Sequence, residues 1–132
     1  MASRYEKEDS KRRILSACVQ LFLEKGYQKT TTVEILKKAD VTPSTFYNIY
    51  HTKGSILTKL TEFMFGNQFN ISGKIVGEET NPVLLYAVET CLQLTLAELN
   101  ENLREIYVEA YTVPENIELI HKKTAVQLQK VF

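Results

Sequence analysis

Two helix starts stand eleven residues apart in "TTTVEILKKADVTPSTFYNIY", residues 30–50. Thr31 with Glu34 three positions on is a capping box: the hydroxyl accepts an orphan helix amide, and the carboxylate returns to the cap amide. Thr42 followed by Pro43 repeats the signal, with a hydroxyl cap and then a residue of helical φ that has no N–H to satisfy. Between them Ile35, Leu36 and Ala39 form a short apolar face, and Asp40 tolerates a left-handed turn. The spacing admits only a short helix, a tight turn and a second helix, the outline of a helix-turn-helix.

The flanking segments extend that outline. In "SKRRILSACVQLFLEKGY", Ile14, Cys18 and Leu21 recur at helical spacing, as do Leu15, Val19 and Phe22, giving a wide apolar stripe. Gly26 is placed to end that helix, and Tyr27 to pack back on its last turn. In the third helix, about 43–49, Phe46 with Ile49 or Tyr50 docks on the first two, while Pro43, Ser44, Tyr47 and His51 fall on the opposite side. An ordinary solvated face carries Glu and Lys there. Thr52 caps a fourth helix and puts Lys53 in its first turn, where the helix dipole disfavours a cation. An external phosphate is one reason for that placement.

Downstream, "NISGKIVGEETN" (70–81) reads as a helix end and a connecting loop because of its two glycines. Helices are expected at about 82–98, 102–111 and 114–132. Leu84, Leu85, Val88, Leu92, Leu96 and Leu99 are the expected core of the first, and Leu103, Ile106, Tyr107 and Ala110 of the second. Thr112 and Glu115 form an expected capping box for the third, whose stripe is Ile117, Ile120, Ala125, Leu128 and Val131. No strand signal or internal repeat occurs, so the fold class is all-α.

Hydrophobic residues make up 44% of the 132 and charged residues 24%, which suits a globular chain with a packed core. Net charge is zero, yet residues 1–60 hold 11 Lys or Arg against 6 Asp or Glu, and 61–132 hold 5 against 10. A basic half beside an acidic half points one end towards a polyanion. Arg4, Lys7, Lys11, Arg12 and Arg13 are a mobile basic arm or a solvated charge run. Cys18 and Cys91 match no metal-ligand spacing and are expected as reduced core thiols. The start "MASRYEKEDS" lacks the apolar run of a signal peptide, and no apolar run approaches the roughly 20 residues of a membrane span. A cytoplasmic protein is expected. No paired-carboxylate site, phosphate-cradling glycine loop or Cys–His arrangement supports an enzyme, and His121 has no partner pattern for a metal. No cofactor is expected.

The stretch "ILSACVQLFLEKGYQKTTTVEILKKADVTPSTFYNIYHTKGSIL" resembles the DNA-binding domain of the tetracycline-repressor (TetR) family of bacterial transcriptional regulators, over roughly residues 10–60. The resemblance lies in Phe-x-x-x-Gly-Tyr closing the first helix, the Thr-Thr and Ile of the second, and Val41, Thr45, Tyr47 and Lys53 at the family's spacing. Asp40 stands where glycine is usual, Ile49 where histidine is often found, Tyr50 for phenylalanine and Leu36 for alanine. The resemblance implies a three-helix helix-turn-helix DNA-binding domain at 1–52, joined by the fourth helix to a C-terminal helical regulatory domain at 53–132. It implies that the third helix enters the major groove of double-stranded DNA. Pro43, Ser44 and Thr45 are then nearest the base edges, with Thr42 at the helix start. Tyr47, Thr31 and Thr32 would meet phosphate oxygens, Lys53 would neutralise a phosphate, and His51 lies near the backbone.

The family also implies a homodimer and a small-molecule effector that releases DNA. Phe63, Phe65, Phe69, Tyr86, Tyr107 and Tyr111, with Met64, either line the effector pocket or fill the core. Members of the family usually run well beyond 132 residues, so the regulatory domain is expected to be incomplete or unusually short. The functional expectation is a ligand-responsive repressor acting on a palindromic operator. Its competitor is a helical protein-interaction module without DNA binding.

Overall fold

The computed structural model describes residues 3–67, 69–77 and 81–132, apart from the side chains of Lys130 and Val131. The expected place of Val131 in a core stripe therefore lies outside the described residues, as do positions 78–80 of the expected loop. All regular structure among the described residues is helical: α1 (Arg4–Lys25), α2 (Thr32–Ala39), α3 (Pro43–Ile49), α4 (Lys53–Gly66), α5 (Asn70–Val76), α6 (Pro82–Leu99), α7 (Glu101–Thr112) and α8 (Pro114–Val131). The chain divides into two compact units, the first ending at Lys59 and the second beginning at Leu60, with the boundary inside α4.

In the first unit α1 packs against α2 and α3. Ser3 and Glu6 close a capping box at the start of α1, so helix begins well before the apolar stripe. Of the two readings of Arg4, Lys7, Lys11, Arg12 and Arg13, the mobile arm is corrected: all five are helical, and they form a charge run on α1. Lys11 pairs with Glu8, and Arg12 and Arg13 with Asp9. Ile14, Cys18, Phe22, Ile35, Phe46 and Ile56 are fully buried, and Leu21, Tyr27, Ala39, Tyr50 and Leu57 nearly so. Each large apolar side chain removed from water contributes about 1.5–3 kcal/mol. Val19 departs from the expected stripe at 40% exposed.

The helix stops follow their local chemistry. Gly26 ends α1 at φ 93° and Tyr27 packs edge-on against Phe22, ring centres 5.1 Å apart. Asp40 ends α2 in the left-handed region at φ 54°. Arg13 donates to the carbonyls of Ala39 (3.1 Å) and Asp40 (2.9 Å), satisfying acceptors that the end of α2 leaves open.

The second unit packs α5 on α6, α6 on α7 and α7 on α8. Phe65, Ala110 and Ile120 centre its core, with Met64 and Tyr107 against them, and the Gln127 amide donates to the Gly66 carbonyl at 2.9 Å. Four expectations are corrected here. Residues 70–76 are a helix of their own, not a helix end running into a loop: Phe69 turns the chain at φ 74° and Gly77 closes the helix at φ 90°, so glycine at 77 ends the helix while Gly73 is carried inside it. The Thr112–Glu115 box does not form. Pro114 takes the first helical position, which makes Val113 the cap, and the Thr112 hydroxyl instead donates back to the carbonyls of Val108 and Glu109. On α6 Leu85 is buried, but Leu84, Leu96 and Leu99 are exposed, because apolar residues run round most of the helix while its neighbours cover one side. Cys91 is exposed on that open side, whereas Cys18 is buried as expected. By length and composition alone, α6 is also apolar enough to cross a membrane, with Glu89 and Glu98 as its acids and no base.

Candidate nucleic-acid interface

α3 is held from both ends. The Thr42 hydroxyl accepts the Thr45 amide at 3.2 Å, Pro43 occupies the first turn, and the Tyr50 amide closes on Phe46. Phe46 is fully buried and Tyr50 is 5% exposed, so this edge is anchored in the first unit's core. Burial raises the Tyr50 phenol above its usual value, with Cys18 and Glu8 adding to the shift. Pro43, Ser44, Tyr47 and Asn48 face out. Tyr47 is half exposed and packs edge-on against Phe46 at 5.2 Å, which steadies its ring.

Thr45 is half-buried, and its hydroxyl lies 3.0 Å from that of Thr42. His51 and Thr52 are exposed in the bend before α4, where the Thr52 hydroxyl accepts the Ser55 amide at 3.1 Å as the expected cap.

At the start of α2 the capping box is complete. The Thr31 hydroxyl accepts the Glu34 amide, and the Glu34 carboxylate accepts from the Thr31 amide (2.8 Å) and hydroxyl (3.0 Å). Thr32 follows, half-buried, in the first turn. A carboxylate here would repel an approaching anion, but Lys25 pairs with it. The hydrogen bond from Lys25, then those from Thr31, hold the Glu34 carboxyl down at about 2.

Lys53 does not project freely. Its ammonium donates to the carbonyls of Tyr27 (2.8 Å) and Thr30 (3.1 Å) and lies 4.3 Å from the centre of the Tyr27 ring. An internal reason thus exists for a cation at the start of α4. The two carbonyls belong to the connection between α1 and α2.

Lys7, Ser10, Thr45, Asn48 and Ile49 line a shallow groove of about 230 Å³ between α1 and α3. Asn48 and Lys7 were not singled out with the reading residues. Asn48 stands one helical turn after Ser44, so the i, i+4 spacing that groups Ser44 with the outward face also reaches it.

The aromatic residues expected at an effector pocket separate into contacts. Phe65 meets Tyr107 and Tyr111 edge-on, at 6.5 and 6.1 Å, and Phe69 meets Tyr86 at 6.4 Å. Phe69 is buried, Tyr107 partly so, Tyr86 and Tyr111 are nearly half exposed, and Phe63 is 69% exposed. Burial raises the phenols of Tyr107 and Tyr111, with Glu89 adding at the first and Tyr86 at the second.

Residues 14–60 match the family model described as bacterial regulatory proteins, tetR family. Two curated relatives from Bacillus subtilis (strain 168) are similar to the chain. YvkB, named an uncharacterized HTH-type transcriptional regulator, is 33% identical over 81 residues, covering 61% of this chain and 42% of the relative. YvdT, named in the same way, is 29% identical over 79 residues, covering 59% and 38%. The chain thus spans about two-fifths of the length of these relatives. No solved structure matches it.

Proposed function

We propose that the chain is a member of the tetR family of bacterial regulatory proteins, whose model residues 14–60 match, and that it binds double-stranded DNA and regulates transcription, with α3 in the major groove. One observation carries this reading. α3 buries Phe46 on one side, with Tyr50 buried at its end, presents Pro43, Ser44 and Tyr47 on the other, and has no charged residue of its own. Ser44 and Thr45 can bond several bases, and Pro43 can touch a thymine methyl. Tyr47, Thr31, Thr32 and the first amides of α2 suit phosphate oxygens, since a helix N-terminus favours an anion. Thr42 and His51 border this face.

The finer reading is a cytoplasmic, homodimeric repressor that recognises a palindromic operator and answers to a small-molecule effector. The effector would bind in the second unit, where Phe69 with Tyr86, and Tyr107 with Tyr111, supply aromatic surface and Phe63 lies at the edge. A protein-interaction module is the rival reading, favoured by the exposed leucines of α6.

Salt separates the two. Binding that neutralises phosphates weakens steeply as salt rises, whereas an apolar interface does not. Titration of the chain with duplex DNA across a salt series therefore tests the proposal, and salt-independent or absent binding rejects it.

A further inference from the structure

The ammonium of Lys53 is bound within its own domain, and its partners are informative. Tyr27 and Thr30 belong to the connection between α1 and α2, 26 and 23 residues before Lys53. That connection is fastened internally as well: the Thr30 hydroxyl donates to the Gly26 carbonyl at 2.7 Å, and the Thr30 side chain is 1% exposed. The residue after Thr30 is Thr31, the cap of α2. We propose that Lys53 is a positioning residue, a strut that pins the α1–α2 connection to the first turn of α4 and so sets the α2 cap for phosphate, rather than a phosphate contact itself.

The chemistry favours the strut. An ammonium has three donors; two are engaged by carbonyls, and the charge sits against the face of the Tyr27 ring, a cation–π arrangement. Moving the ammonium to an external phosphate would forfeit that contact and both hydrogen bonds to the connection. A lysine at the start of a helix is unfavourable for that helix, but the two carbonyls and the Tyr27 ring face compensate the charge. Sequence spacing alone pairs Lys53 with DNA, whereas the fold pairs it with a loop.

The inference rests on the reading of this domain as DNA-binding, and its test keeps the two apart. The whole chain, as wild type, Lys53→Met and Lys53→Arg, is titrated with a short mixed-sequence DNA duplex across a salt series. The temperature is one at which circular dichroism shows every variant folded. Methionine keeps the apolar stem and removes the ammonium. A strut predicts that Lys53→Met binds about ten-fold more weakly at every salt concentration, with an unchanged salt slope. Lys53→Arg, able to reach both carbonyls and the ring, recovers most of the loss.

A slope smaller by about 0.9, the signature of one lost phosphate contact, overturns the strut, and so does a Lys53→Met variant with unchanged affinity. Absence of DNA binding by the wild type is a failure of the DNA-binding reading alone. The strut is then decided by unfolding, in which Lys53→Met and Tyr27→Leu must be non-additive; additive effects overturn it.

Discussion

Thr42 and Thr45 share a hydrogen bond between their hydroxyls, 3.0 Å from oxygen to oxygen, while the Thr45 amide donates to the same Thr42 oxygen. The cap of α3 and one of its base-reading candidates are therefore one unit. Thr45→Ala keeps the amide and hence the cap. It is expected to leave stability nearly unchanged and to relax preference at one base position, at a cost of about 1–3 kcal/mol. Thr42→Ala removes the cap and is expected to cost about 1 kcal/mol of stability. Chemical denaturation and binding to a panel of single-base variants check the two sides.

Glu34 ties the α2 cap to Lys25, and its carboxyl sits near 2 against an ordinary value of 4.5. A depressed acid stabilises the fold above its unfolded value and loses that contribution as pH falls through its folded value. The expected result is stability that declines between about pH 4.5 and 2 more steeply in wild type than in Glu34→Gln, read from unfolding at a series of pH values.

The two cysteines behave oppositely. Burial pushes the Cys18 thiol up to about 12, with Lys53 opposing the shift, whereas Cys91 is exposed. A thiol reagent is expected to modify Cys91 in the folded chain and Cys18 only after unfolding, as mapped by mass spectrometry. The Cys18 shift also has a sign: the thiol stays protonated in the fold, so its contribution is complete below the ordinary value of 9 and is lost as pH rises towards 12.

Phe65 is the ring on which Tyr107 and Tyr111 converge, and it is 3% exposed. Phe65→Ala is expected to destabilise the second unit by about 3–5 kcal/mol, the cost of a large cavity. Hydrogen exchange would show the loss in α7 and α8, with α1–α3 keeping their protection.

The readable parts of this fold are those decided by neighbours in sequence. Thr31 with Glu34, Asp40 in its left-handed turn, and Thr42 with Pro43 each satisfy backbone groups within a few residues, so the first unit's helix boundaries are legible from spacing. The outward set Pro43, Ser44 and Tyr47 follows from the same period. What escaped depends on partners far along the chain or on competing local bonds. The carbonyls that hold Lys53 come from a connection more than twenty residues away. The α6 leucines give a helix but not the side its neighbours cover. Thr112 had two possible partners, and Pro114 decided against the cap. Glycines at 73 and 77 look alike in sequence, yet only Gly77 takes a positive φ.

The central claim is that α3 reads DNA, and selection of the folded chain on a random duplex library at moderate salt tests it most directly. The expected result is enrichment of a palindromic consensus with half-sites about one helical turn apart, roughly 10 base pairs, or a multiple of that spacing. Enrichment should collapse when Ser44, Thr45 and Tyr47 are together replaced by alanine. A library that emerges unenriched from wild-type protein shown to be folded would contradict the account.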